Sequence, residues 1–113
     1  MQLSPLSAFD YYPVLDARKP PALVIFTGPA CGACRRLKAI LSQMAPPLND
    51  LAVFEVDAAN AAGLVEELEI FHLPALFLYA DGDYHASVHP QLTAASIAAA
   101  VTAAAAGPPQ PLP

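Results

Sequence analysis

The chain has 113 residues, of which 56% are hydrophobic and 13% charged, and a net charge of −5. That length makes one domain with a single core, and the acidic balance argues against nucleic acid as a partner. Much of the apolar excess is alanine, and no run of about eighteen strongly apolar residues occurs, so no transmembrane helix is expected. The first residues, Met1 to Ser7, lack a basic stretch and a continuous apolar one; no secretory leader is read there, and a cytoplasmic location is expected.

In chain order, Ser7-Ala-Phe-Asp10 reads as an N-terminal capping signal for a short helix through Leu15. Arg18 to Pro21 is a connector. Ala22 to Phe26 is a buried strand that runs into Thr27-Gly28-Pro29. A helix follows, with Leu37, Ile40, Leu41 and Met44 on one face, and Pro46-Pro47 stops it. Leu51 to Val56 is a second buried strand that ends at Asp57. Asn60 is positioned to cap a third helix, with Ala61, Leu64, Val65 and Leu68 facing inward and Glu66, Glu67 and Glu69 wet. Leu73-Pro74 precedes a strand from Ala75 to Ala80. Asp81-Gly82 is a two-residue hairpin turn, and Tyr84 to Val88 returns. Thr93 caps a last helix through Ala106 whose apolar stripe, Ile97 and Val101 with alanines, is thin. The domain is read as residues 1–106, and residues 107–113 as a proline-rich tail, extended or disordered. The alternation of strand and helix implies parallel strands with right-handed crossovers, and the hairpin adds an antiparallel edge. The fold class is therefore α/β, a central mixed sheet of four to five strands with helices on both faces.

The chemistry lies in Cys31-Gly32-Ala33-Cys34, the only two cysteines of the chain, placed where a strand gives way to a helix. The first-turn N–H groups of a helix are unpaired and carry partial positive charge, so a thiolate there is stabilised and nucleophilic near neutral pH. The second sulfur, one turn on, can close an intramolecular disulfide. So small a loop constrains the unfolded chain little, so chemistry explains the pair better than stapling does. A closed zinc site needs four ligands, and His72, His85 and His89 have no paired ligand spacing, so no metal is assigned. Arg35, Arg36 and Lys38 follow the second cysteine directly; they are read either as a solvated helix face or as cations that favour a thiolate.

This pattern resembles the thioredoxin family from about Ser4 to Ala105. The resemblance is carried by the strand-CxxC-helix unit, Val56-Asp57 at a strand end, Leu73-Pro74 before a hairpin, Asp81-Gly82 at its turn and the final helix. It implies a thioredoxin-like fold and a thiol–disulfide oxidoreductase that needs no cofactor and acts on protein disulfide substrates; nothing in the sequence requires a dimer, so a monomer is expected. An electron-donating reductase would sustain it. Cys31 would attack and Cys34 would resolve. Pro74 would be a cis-proline beside the pair, Leu73 would offer its backbone to an extended substrate, and Ala30 would flank the docking surface.

The departures from the family pattern carry information of their own. Family members usually read Trp-Cys-Gly-Pro-Cys, and this chain reads Ala30-Cys-Gly-Ala-Cys34. The exchange removes an apolar docking surface and restores a backbone N–H. The customary buried aspartate and nearby lysine fall on Ile25 and Val53, so Cys34 lacks the usual proton acceptor. Glu55, His72 and water are the candidates to replace it, and Arg35 and His72 are candidates to tune Cys31. His89-Pro90 replaces a glycine-containing loop. Two other readings stand beside the enzyme: a binding module with a regulatory or vestigial dithiol, and a metal or cluster shared by the CxxC pairs of two chains.

Overall fold

The computed structural model describes residues 1–113. Its strands are β1 (Leu3–Pro5), β2 (Ala22–Thr27), β3 (Ala52–Asp57), β4 (Ala75–Ala80) and β5 (Asp83–Val88). They form one five-stranded sheet in the order β1-β3-β2-β4-β5. β2 pairs in parallel with β3 and antiparallel with β4, so it lies at the centre and is buried at every position. This is why Ala22 to Phe26 reads as an unbroken apolar run: both faces of the strand are covered. β1 is an addition to the sequence reading. Its three residues alternate too briefly to signal a strand, and they pair only because β3 presents a free edge.

The two faces are covered by different helices. Alternation along β2 sends Ala22, Val24 and Phe26 to one side, where they pack with Tyr11 and Leu15 of α1 (Tyr11–Asp16) and Leu64 of α3 (Ala62–Glu67). Leu23 and Ile25 go to the other side, against Leu37 and Leu41 of α2 (Gly32–Gln43) and Ile97 and Val101 of α4 (Ala94–Ala106). The thin stripe of α4 suffices because alanines let the helix lie close to the sheet, with Ala100, Ala104 and Ala105 packed at its flank.

The helix signals resolve unevenly. Thr93 caps α4 as read, its hydroxyl oxygen accepting from Ser96 N at 3.1 Å. Asn60 does not cap α3. It closes a 3-10 turn, Ala58–Asn60, and its side chain donates to Asp57 Oδ2 at 2.8 Å, while α3 starts at Ala62 without a side-chain cap. Asp57, the strand-end residue, caps that 3-10 turn by accepting from Ala59 N. Ser7 and Asp10 bond each other one turn ahead of α1.

At the β4–β5 hairpin, Asp81 and Gly82 both have positive φ, as a two-residue hairpin turn with the twist of the strands requires. The register then slips by one residue opposite Leu78 and Tyr79, leaving His85 as the extra residue of a bulge. His85 Nε2 meets the carbonyls of Ala104 and Gly107 at 2.9 and 3.0 Å, at the end of α4. The proline-rich tail leaves this point along β5. Gln110 N donates to His85 O at 2.6 Å, and Ser87 N donates to Gln110 Oε1 at 3.2 Å.

Candidate functional site: the Cys31–Cys34 turn

Cys31 is the N-cap of α2, in extended conformation, and Cys34 lies in the first helical turn. The two are joined as a disulfide with Cα atoms 5.2 Å apart. Their environments differ. Cys31 is half-buried, while Cys34 is only 1% exposed and continues the buried stripe of Leu37 and Leu41 along α2. Cys34 N–H donates to Cys31 Sγ at 3.1 Å. A helix N-terminal amide therefore points at the Cys31 sulfur, a placement that favours an anion on that atom.

The cations of α2 divide. Both guanidinium groups curl back over the first turn, for a Cβ added at Gly32 would lie 3.8 Å from Arg35 Nη2 and 3.9 Å from Arg36 Nη1. Lys38 turns the other way. Its Nζ pairs with Glu55 Oε2 at 3.1 Å, away from the first turn of the helix. Glu55 also accepts from Thr27 Oγ1 at 2.6 Å, and Thr27 is itself buried. Ile25 and Val53 both lie in the apolar cluster beneath α2, as Cys34's missing acceptor requires.

The segment from Phe71 to Pro74 comes alongside through the sheet. Ala75 is the register partner of Phe26, so the two residues before Ala75 lie next to Thr27 and Gly28, at the entry to the cysteine turn. The approach is close: a Cβ on Gly28 would sit 2.8 Å from Leu73 Cδ1. The Leu73–Pro74 peptide bond is cis. Leu73 lies outside β4, and its backbone N–H and C=O form no hydrogen bond within the chain. Beside Pro74 a groove of about 660 Å³ opens, walled by Phe71, His72, His89, Pro90 and Pro113; neither cysteine lines it.

The sequence-stated candidates thus fall into groups. Cys31, Cys34 and Arg35 share the turn, and Leu73 and Pro74 flank it. Ala30 sits at its entry, exposed, with φ of 55°. His72 is exposed on the groove wall and has no hydrogen bond to either cysteine. Glu55 belongs to a separate polar knot with Thr27 and Lys38. Sequence reasoning missed three contributors. Thr27 was hidden at the end of an apolar strand, although its spacing from Ile25 places it on the α2 side. Lys38 was grouped with the arginines, although it lies one helical turn from Cys34 and not beside it. Phe71, 82% exposed, gave no periodic signal. No group of three or more His, Cys, Asp or Glu side chains is arranged to hold a metal ion, and no helix is long and apolar enough to cross a membrane.

Comparison with known proteins agrees with this geometry. A sequence model described as thioredoxin matches residues 3–103. Thioredoxin domain-containing protein 2 of Rattus norvegicus is 33% identical over 64 residues, covering 57% of this chain and 12% of the rat protein. Protein disulfide isomerase-like 1-3 of Arabidopsis thaliana is 36% identical over 63 residues, covering 55% of this chain and 11% of the plant protein. The chain thus spans about an eighth of the length of the curated relatives it matches. Among solved structures, the oxidized form of mitochondrial thioredoxin 3 from Saccharomyces cerevisiae superposes with a TM-score of 0.75 at 14% identity, covering 89% of this chain and 94% of the yeast chain.

Proposed function

The chain belongs to the thioredoxin family, and from that premise we propose that it reduces protein disulfides by a dithiol–disulfide cycle of Cys31 and Cys34. The observation that carries this is the asymmetry of the pair: one sulfur reachable and faced by a helix N-terminal amide, the other sealed beneath the helix. An attacking group needs the first environment and a resolving group the second. In the reduced protein the Cys31 thiolate attacks one sulfur of the substrate. A Cys31–substrate bond forms, the substrate S–S bond breaks, and the second substrate sulfur leaves with the electron pair. Cys34 then loses its proton and attacks Cys31. The internal disulfide forms and the first substrate sulfur is released as a thiol.

The substrate in this reading is an extended protein segment. The unpaired backbone of Leu73 supports strand-like docking. Pro74 lines the groove next to the turn, and Phe71 offers an exposed aromatic surface where Ala30 offers only a methyl group. The cycle closes when an external dithiol donor re-reduces the pair, in a reducing compartment such as the cytoplasm.

Insulin reduction tests the proposal. The dithiol form is expected to catalyse precipitation of the reduced B chain, and Cys31→Ser to lose that activity. Equal rates for the two proteins would instead favour a binding module with a vestigial dithiol.

A further inference from the structure

We propose that Glu55, held in place by Thr27 and Lys38, is the proton acceptor for Cys34 in the resolving step. The proposal rests on the oxidoreductase reading above and assigns a role within it. Cys34 has to become a thiolate before it can displace the substrate. Cys34 is 1% exposed, and the cluster on which its helix packs, with Ile25 and Val53, is apolar. Such surroundings disfavour a charged sulfur, so the proton needs a defined exit.

Two lines of geometry lead from Cys34 to Glu55. Along the helix, Cys34 and Lys38 are one turn apart and share a ridge of α2. Lys38 Nζ reaches Glu55 Oε2 at 3.1 Å. Across the sheet, Glu55 is the register partner of Ile25, the residue beneath the helix, and alternation places it on the same face as Val53. Thr27, two residues beyond Ile25 on β2, donates its hydroxyl to the same Oε2 at 2.6 Å. Both bonds engage one carboxylate oxygen, and Oε1 has no partner within the chain.

The knot also reaches water. The Glu55 side chain is 27% exposed and that of Lys38 40%. Both line a cleft of about 580 Å³ together with Thr27, Gly28, Pro29 and Asp57. Glu55 therefore joins the sealed sulfur's side of the sheet to bulk solvent. Lys38 from α2 is the one cation facing it. Asp57, on its own strand, is the one other charged group in the cleft, and its carboxylate is engaged by Ala59 N and Asn60 Nδ2. β1 brings Pro5 opposite Glu55 and adds no charge.

In the step itself, the Cys34 S–H proton passes to Glu55 through water admitted between α2 and the sheet, and the cleft beyond Glu55 connects it to solvent. The freed electron pair of Cys34 forms the bond to Cys31 Sγ. The Cys31–substrate S–S bond breaks, and its electron pair leaves with the substrate thiolate. Glu55 then returns the proton to solvent, and no other oxidant or reductant enters.

The reduced protein mixed with dithiobis(nitrobenzoate) separates the two steps by absorbance. The first nitrobenzenethiolate marks attack by Cys31, and the second marks its displacement by Cys34. Glu55→Gln is expected to slow the second phase about tenfold or more at neutral pH and to leave the first unchanged. The loss should shrink as pH rises and hydroxide takes over, and Glu55→Asp should restore part of the rate. Thr27→Val, which removes one of the two bonds that hold the carboxylate, should give a smaller loss with the same pH trend. A second phase unaffected by Glu55→Gln, or slowed by one factor at every pH, would overturn the proposal. Absence of the first phase in the unsubstituted protein would instead overturn the oxidoreductase reading.

Discussion

Replacing Tyr79 with Phe should destabilise the protein, while replacing both Tyr79 and Tyr11 should restore most of the loss. The two hydroxyls share one hydrogen bond of 2.7 Å in the core on the α1 side of the sheet. Tyr11 is fully buried and Tyr79 is 4% exposed, with their rings edge to face at 5.8 Å. Tyr79→Phe leaves the Tyr11 hydroxyl without a partner or access to water, a loss of about 1–3 kcal/mol. Tyr11→Phe strands the Tyr79 hydroxyl in the same way. In the double variant neither hydroxyl remains, the ring packing persists, and stability should return to within about 1 kcal/mol of the starting protein. For a domain of this size each kcal/mol moves the melting midpoint by roughly 4 °C. The chain has no tryptophan, so urea unfolding is best followed by far-ultraviolet circular dichroism. A double variant whose loss equals the sum of the single losses would refute the reasoning, because each hydroxyl would then have a partner other than its neighbour.

The same pair sets an alkaline limit. Burial holds the Tyr11 phenol well above its usual range and pushes Tyr79 up to about 12. The folded state thus keeps protons that the unfolded chain releases near pH 10. Stability should be full below pH 10 and fall as pH rises from there toward 12, and the Tyr11→Phe/Tyr79→Phe protein should lose less over that window in urea titrations. Neutralising Arg35 or Arg36 with Gln should slow alkylation of reduced Cys31 at neutral pH by about two- to threefold each, the scale of one nearby unit charge in water-like surroundings. High salt should erase the difference, and equal rates at low salt would show that the guanidinium groups do not act on the sulfur. Gly28→Ala forces Leu73 to retreat from the turn. It should raise KM for a protein disulfide several-fold and leave the rate with a small disulfide reagent unchanged, with little change in melting. Gly82→Ala meets the Asp16 carbonyl oxygen at 2.6 Å in a left-handed turn position, and a loss of about 2 kcal/mol or more in urea unfolding is expected.

Much of the site was legible because its parts are local. A CxxC pair between an apolar strand and an amphipathic helix has one geometry available, since the helix places residues 31 and 34 one turn apart whatever surrounds them. Asp81-Gly82 specifies its hairpin for the same reason: positive φ at two successive positions is a property of those residues. The helix starts were harder. Asn60 and Asp57 are both capping residue types within four positions, and the path of the chain out of β3 decides that Asp57 meets Ala59 N while Asn60 donates to Asp57.

Residues distant in the chain tell a different story. Thr27, Lys38 and Glu55 carry no shared spacing, and they meet because β2 and β3 pair in one register and α2 crosses above them. Leu73-Pro74 reaches the cysteine turn through the antiparallel pairing of β2 with β4, and the tail finds β5 because a bulge exposes His85. From its own residues the chain determines where a reactive dithiol sits, which segments become helix or strand, and which faces are apolar, since these follow from neighbouring dihedrals and periodicity. Strand order, register and helix placement decided which carboxylate, which cation and which backbone lie beside that dithiol, because such proximity is created only when apolar faces far apart in the chain are buried together.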